Sequence, residues 1–520
     1  MKHPTSKLAV SIRRLSRPLA AIALVCTAFS GATPARAEGP RLPTPADITA
    51  AFARAAILEL DLTKAHSILD SDDGTAPAVA IEKARLAIYE GECDRAVEVL
   101  SRSDLANSDE NKHLGEIARG CARGMAGTVI VKDEAKGVWI RLQDDEDRAL
   151  VPFMVDVASR ARDTLAKDLG VTLPSPLRVD LVRDQFTLSA MTGLPEEAAQ
   201  TTGTVAIAKW GRVTMLSPRT DGYGWMDTLA HEMSHLALTA GTRDKAPLWL
   251  QEGIAKREET RWREPWPHDN QPSNDAFAAV GLAMNLGRPL DKLGPSIAML
   301  PSAEQAAVAY SEVASFVGFF ASEVGETALP RLVERIKEAD GDDPANKALQ
   351  DVSGMDLAAW DARWKQHLGT VSTDMPEELK PGAHIPQMKQ VMKLARLGQL
   401  LHDRGHYRTA AMKHAEAQAI VPWEPTVRCY LAASLLAGGQ PESAKPLVAK
   451  PEDVHGRAGR YWSLHGLLVP PPEGDARAFY LGLALDPLSP EVACEEKLAP
   501  ETPADPLKKA LCEAARRVPR

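Results

Sequence analysis

The sequence predicts an α+β protein that is mostly helix. Three observations carry that prediction. Apolar residues alternate with a period of two only between residues 128 and 217. Helical spacing of apolar residues dominates on both sides of that stretch, and a 34-residue repeat recurs toward the C-terminus. With 520 residues, 44% of them apolar, the chain can build proper cores and has room for roughly two to four domains.

Residues 1–37 read as an export signal. Arg13, Arg14 and Arg17 precede an apolar run over 19–29, and Ala35-Arg36-Ala37 is an A-x-A cleavage site. Cleavage near Ala37 would deliver the mature chain to the periplasm or the medium. Six of the 61 basic residues and none of the 70 acidic ones lie in that segment, which leaves the mature chain with a net charge near −15. Such a balance argues against nucleic acid and anionic membranes as partners. No internal stretch reaches the roughly 18 apolar residues of a membrane span. Of the cysteines, Cys26 leaves with the signal. Cys93 with Cys121, and Cys494 with Cys512, either pair as disulfides in an oxidising compartment or remain separate core thiols; Cys429 is left over as a buried thiol.

Residues 44–126 read as an N-terminal helical module, with helices over 48–60 and 78–100. The latter is interrupted at Tyr89-Glu90-Gly91-Glu92, a small-residue turn of the kind found in tetratricopeptide hairpins. Strands follow at 128–132 and 137–141, then a helix over 150–169 that stops at Gly170, and a third strand over 177–183. Segments 202–208 and 212–217 flank Lys209-Trp210-Gly211, a hairpin signal. Gly222 and Gly224 allow an irregular turn just before the next helix, and Asp227 is expected to cap that helix.

The helix in question contains His231-Glu232-Met233-Ser234-His235 in an apolar setting. Residues i and i+4 share a helix face, so both imidazoles can point at one metal ion. Helix geometry rotates Glu232 about 100° from His231. That puts it beside the metal, where a general base for an attacking water must stand. A tetrahedral catalytic zinc site needs a third protein ligand and one open position. Glu252 supplies the candidate: it lies 17 residues beyond His235 in Leu248-Trp249-Leu250-Gln251-Glu252-Gly253-Ile254-Ala255. Pro247 suits the first turn of that second helix, and the polar segment 240–245 is long enough to reverse the chain between the two.

In these two segments, T-L-A-H-E-M-S-H-L at 228–236 and P-L-W-L-Q-E-G-I-A at 247–255, the chain resembles the gluzincin metallopeptidases and, among them, bacterial peptidase MA-like domains. The resemblance spans roughly 129–368, nearly half the chain. It implies a thermolysin-like zincin domain over 127–368, a small mixed sheet with metal-binding helices. His231, His235 and Glu252 would be Zn2+ ligands, Glu232 the general base, and a peptide or protein the substrate. It also implies that the strand over 203–208 is an edge strand pairing with extended substrate; an interior strand is the other reading. In the family an aspartate four residues beyond the ligand glutamate orients a histidine ligand. Here that position is Lys256, so Asp227, Glu258 or Glu259 must substitute, or the site is weaker. Within A-Y-x-x-x-x-x-F-V, over 309–317, the family's tyrosine faces the metal. Tyr310 is thereby a candidate oxyanion donor, against the alternative of a core tyrosine with its hydroxyl at the rim.

Beyond Glu252, the proline- and tryptophan-containing segment 257–273, which includes Trp266 and His268, reads as a loop that borders the cleft or packs on the surface. Helices over 306–320, 329–339 and 357–367 complete the domain, with Trp360 and Trp364 in the core. Residues 369–386 read as a linker, and 387–520 as tetratricopeptide-like repeats. Leu397-Gly398, Ala410 and Ala417 sit on repeat positions, Leu431-Ala432 and Ala444 recur 34 residues on, and a degenerate third copy spans roughly 460–487. Such stacks commonly offer a concave surface to a protein partner. Two functions follow: an exported zinc metallopeptidase whose repeats recruit substrate or partner, or a non-catalytic repeat-type binding module with a structural or vestigial zinc site. Glu232 favours the first, because a purely structural site needs no acid there.

Overall fold

Five short strands form one mixed sheet. In the computed structural model, β1 (Val129–Asp133) and β2 (Val138–Leu142) make an antiparallel hairpin. β3 (Leu177–Val182) joins β2 in parallel, and β5 (Arg212–Leu216) joins β3 in parallel. β4 (Ala206–Lys209) closes the far side antiparallel to β5, giving the order β1-β2-β3-β5-β4. The structure describes residues 42–476 apart from 106–108, 198–203, 219–222, 266–268, 270–271, 295, 376–378, 382–386, 423 and 451–458, together with 478 and 482. The expected export signal with Cys26, Gly222, Trp266, His268, residues 376–378 and 382–386 of the expected linker, the candidate pair Cys494 and Cys512, and the end of the third repeat lie outside the described residues.

Helices cover the two central strands, so those strands are buried; every residue of β5 is. The strand expected over 203–208 is found at Ala206–Lys209, an edge strand that among the described residues pairs with β5 alone. Its hairpin turns through Trp210 (φ 57°) and Gly211 (φ 69°). Two successive positive φ angles are what a two-residue type I′ turn requires. Gly211 is also a close approach, since a Cβ there would meet Tyr89 Cδ1 at 2.7 Å.

Before the sheet come α1 (Pro45–Leu58), α2 (Leu62–Leu69), α3 (Pro77–Glu90), α4 (Cys93–Leu100) and α5 (Asp109–Met125). Gly91 ends α3 in the left-handed region, as the small-residue turn predicts. A disulfide joins Cys93 to Cys121 and so pins α4 to α5. Arg212, 1% exposed at the start of β5, pairs with Asp180 of β3 at 2.9 Å and donates to Ile88 O and Cys121 Sγ. A buried guanidinium needs this many acceptors. The result is a polar stitch between the N-terminal helices and the sheet. One continuous apolar core runs from these helices through residue 368.

Among the remaining helices, α6 (Val151–Leu169) ends at Gly170 as expected, and α7 (Gln185–Thr192) was not anticipated. Two helices that hold the site follow, α8 (Trp225–Thr242) and α9 (Leu248–Glu258). Then come α10 (Asn274–Ala283), α11 (Ala303–Val324), α12 (Ala328–Glu338), α13 (Pro344–Ser353) and α14 (Leu357–Leu368). Trp360 and Trp364 of α14 are each 1% exposed. Among the described residues no helix is long and apolar enough to cross a membrane.

The C-terminal helices α15 (Met388–Asp403), α16 (Tyr407–Ile420), α17 (Pro425–Ala437) and α18 (Gly459–Leu468) have small cores of their own. The second repeat departs from the expected pattern. After α17 its partner helix is a single turn, Pro441–Ala444, that passes into 3-10 helix over Lys445–Val448. Pro446 lacks the N–H that an α-helix would need there. Cys429 is a buried free thiol.

Candidate metal centre

The site is built where α8 and α9 fold back on each other. Arg243 (φ 55°) and Asp244 (φ 61°) turn the chain after α8, and Pro247 is the N-cap of α9 rather than part of its first turn. Glu252 thereby comes to face the histidine stripe of α8. His231 Nε2 and His235 Nε2 are 3.3 Å apart, and Glu252 Oε2 lies 3.6 Å from the first and 3.7 Å from the second. Among the described residues this is the single cluster of histidine, cysteine or acidic side chains with the spacing to hold a metal ion.

Each imidazole is held from behind. His235 Nδ1 is 3.1 Å from Gln251 Oε1, and His231 Nδ1 is 3.4 Å from Glu259 Oε2. Lys256 Nζ lies 2.7 and 2.8 Å from the two Glu259 oxygens. Burial would pull the His231 pKa down, but Glu252 and Glu259 outweigh it and push it up to about 9. Burial likewise opposes ionisation of Glu252, yet His235 and His231 hold its pKa below the ordinary value. The centre is thus a mostly buried pocket in which carboxylates call for positive charge.

Glu232 stands outside the triangle of ligand atoms and is 8% exposed. Its Oε2 accepts the Ala208 backbone N–H at 2.6 Å. The acid is therefore tied to the edge strand β4. Tyr310 on α11 is partly buried; burial first, then the negative charges of Glu252 and Glu232, raise its phenol pKa well above the ordinary value. Gly253 explains how α11 comes so near: a Cβ there would sit 2.6 Å from Val313 O and 2.5 Å from Val317 Cγ2. Behind it, Trp249, Phe316 and Trp364 stack edge to face at 5.3 and 5.9 Å.

Asp227 has a different role from the expected cap. The N-cap of α8 is Gly224, with no side-chain hydrogen bond. Asp227 instead accepts from Arg263 at 2.7 Å and from the Trp262 indole at 3.0 Å, and Arg263 also reaches Asp269. Part of the segment 257–273 is thereby folded over the start of the metal helix, where α9 has just ended. Glu258 is occupied elsewhere, beside Arg257 and Arg261. Of Asp227, Glu258 and Glu259, Glu259 is the one that faces an imidazole of the cluster, at His231 Nδ1.

Four contributors had no signal in the sequence: Gln251, the Ala208 amide, Arg263 and Tyr223. The hydroxyl of the partly buried Tyr223 donates to Leu216 O, and burial, then Glu232 and Asp147, raise its pKa. Each depends on contacts between elements that periodicity cannot pair. Compared with family models, with curated proteins and with solved structures, the chain has no significant match.

Proposed function

We propose that this chain is an exported, zinc-dependent metallopeptidase of the gluzincin kind, with a thermolysin-like arrangement of sheet and metal helices. One observation carries the reading. The three ligand atoms form a triangle with sides of 3.3, 3.6 and 3.7 Å. Bonds of ~2.0–2.2 Å to a tetrahedral zinc demand ligand separations of about 3.3–3.6 Å. His231, His235 and Glu252 therefore suit the ion, and three protein ligands leave one position for water or substrate. When bound, zinc would polarise the scissile carbonyl and acidify a water molecule.

The protein's own groups supply the rest. Glu232, outside the ligand triangle on the same helix, takes the proton of the attacking water. The Ala208 amide fixes where that carboxylate stands. Tyr310, kept protonated by its surroundings, is suited to donate a hydrogen bond to the developing oxyanion. As an edge strand, β4 can add an extended peptide by main-chain pairing, which would give affinity with little sequence selectivity. The Cys93–Cys121 disulfide suits an oxidising, extracytoplasmic setting. The C-terminal repeats would recruit substrate or a protein partner.

The test is Glu232→Gln. The variant should bind zinc like the wild type and hydrolyse a broad peptide library ~10²–10⁴-fold more slowly. A wild-type protein that holds no zinc, or a glutamine variant as active as its parent, would sink the reading.

A further inference from the structure

The C-terminal repeats leave one helix face open to solvent, and it is both apolar and basic. We propose that the outward face of α15 is a docking site for an acidic amphipathic helix of a partner protein. Such a site rests on the recruiting role given to the repeats and is independent of the zinc centre.

The second repeat shows the shape of what docks. On α17, Val427, Tyr430, Leu431 and Ser434 fall within two turns on one side of the helix. α16 is seated there. Val427 shares a small core with Ala417 and Val421, the Tyr430 ring lies against His414, and Ser434 Oγ is 3.1 Å from His414 Nδ1. Val427, Leu431 and Ser434 are accordingly 4%, 7% and 0% exposed. One 34-residue period earlier stand Lys393, Arg396, Leu397 and Leu400 of α15. All four are exposed, Leu397 by 45% and Leu400 by 38%, and Met392 beside them by 67%. The last described α-helix before α15 is α14, which belongs to the core of the preceding domain. A repeat without a neighbour keeps open the side that would receive a helix, and large apolar groups left together in water mark an interaction site. The occupant is therefore a helix.

Charge selects which helix. Where α17 offers Val427 and Tyr430, α15 offers Lys393 and Arg396, and Lys389 and Arg404 extend the basic face by one turn each way. All four cations are exposed, and among the described residues none has an ion-pair partner. Other surface cations sit beside acids, as Lys413 does with Glu416 and Arg335 with Glu338. Asp403, the one acid of α15, is bonded to Gln399. Helix stability does not ask for this pattern, because a helix N-terminus favours acids and Lys389 stands in the first turn. Apolar side chains among unpaired cations call for a helix with an apolar stripe bordered by carboxylates. A second copy docking by the same face would set cation against cation. The chain's net charge of −9 opposes an anionic membrane.

The test uses the full-length protein and a fluorescent peptide of residues 405–422, which carries the α16 sequence that the equivalent face of α17 receives. A second peptide carries Arg408→Glu and Lys413→Glu. By anisotropy the acidic peptide should bind about 10-fold or more tightly than the unsubstituted one, and added salt should shrink the difference. Lys393→Glu combined with Arg396→Glu in the protein should reverse the preference. Leu397→Ser should weaken the acidic peptide about 10-fold. These side chains are exposed, and circular dichroism checks that each variant is folded. Equal binding of the two peptides overturns the docking site. A preference that survives the charge reversal also overturns it and leaves recruitment by another face of the repeats standing. Sedimentation that shows a dimer, or adsorption to phosphatidylglycerol vesicles, lost in the Lys393→Glu, Arg396→Glu protein would name a second copy or a membrane as the occupant and overturn the partner helix. Zinc enters none of these readouts, so a failed docking site and a failed metal site are told apart.

Discussion

Among the described residues two pairs of histidines invite comparison, and one of them has the spacing of a metal site. His231 and His235 share a helix face with Nε2 atoms 3.3 Å apart, and acidic groups surround them. His402 and His414 come from neighbouring helices and meet at one hydroxyl: their Nδ1 atoms lie 3.0 and 3.1 Å from Ser434 Oγ. His414 Nε2 lies 3.3 Å from Ala395 O. Burial, with His402 and Arg460 nearby, drives the His414 pKa down to about 4, while the carboxylates drive His231 up to about 9. The lesson is that neighbours, not burial, make an imidazole a ligand. A buried histidine with a cation beside it is held neutral.

The largest expected effect breaks that comparison directly. Replacing His231 or His235 with alanine should reduce zinc affinity by more than the 10–100-fold that loss of a mere supporting partner costs. His402→Ala and His414→Gln should leave it unchanged, with affinity measured by competition with a chromophoric chelator. Zinc lost from the C-terminal variants would mean that the second pair also holds metal.

Next in size is the tyrosine beside each pair. The charges of Glu252 and Glu232 act on the Tyr310 phenol, whereas Tyr430 lies against the His414 ring at 5.5 Å. Tyr310→Phe should lower kcat by about 10²–10³ with zinc content intact, and Tyr430→Phe should alter neither. Equal rates for the Tyr310→Phe enzyme and its parent would return Tyr310 to the core.

A pH experiment reads the neutral pair alone. The folded pKa of His414 is depressed, so its contribution to stability is fully present above the unfolded value near 6.5. It is lost as pH falls through about 4. A shift of this size corresponds to about 3 kcal/mol. Hydrogen exchange in α16 and α17 should report that loss between pH 7 and pH 4, and His414→Gln should flatten the slope. An unchanged slope in the variant would assign the acid sensitivity to other groups.

Much of the centre was legible in the sequence because its ligands lie on two adjacent helices. An i, i+4 histidine pair reveals its geometry without tertiary knowledge, and Glu252 follows after one turn. The strands were legible for the same reason, since alternation is local, and Trp210-Gly211 announced its hairpin. What stayed hidden depends on contacts over long separations. Nothing in the alternation over 206–209 reveals that the Ala208 amide will meet Glu232, 24 residues on. Asp227 was misread as a cap because its partner Arg263 lies 36 residues away. The second repeat was misread because register was counted while the proline within its short helix was not.

The smallest effect concerns the glycine beside each histidine pair, and it separates packing from chemistry. At Gly398 a Cβ would lie 2.3 Å from the Cδ2 and Nε2 atoms of His414, so the repeat's small residue exists to let α15 and α16 close over the imidazole. At Gly253 the obstacle is the backbone oxygen of Val313, which cannot rotate away. Alanine at either position should cost roughly 1–3 kcal/mol by overpacking. The consequences should differ. Gly398→Ala would lower the melting temperature and leave zinc affinity and turnover alone. Gly253→Ala would push α11 away from α9 and, with it, Tyr310 away from Glu252, so kcat should fall further than stability alone explains. A Gly253→Ala enzyme that is less stable yet turns over at the wild-type rate would show that the α9–α11 contact supports the fold and not the oxyanion.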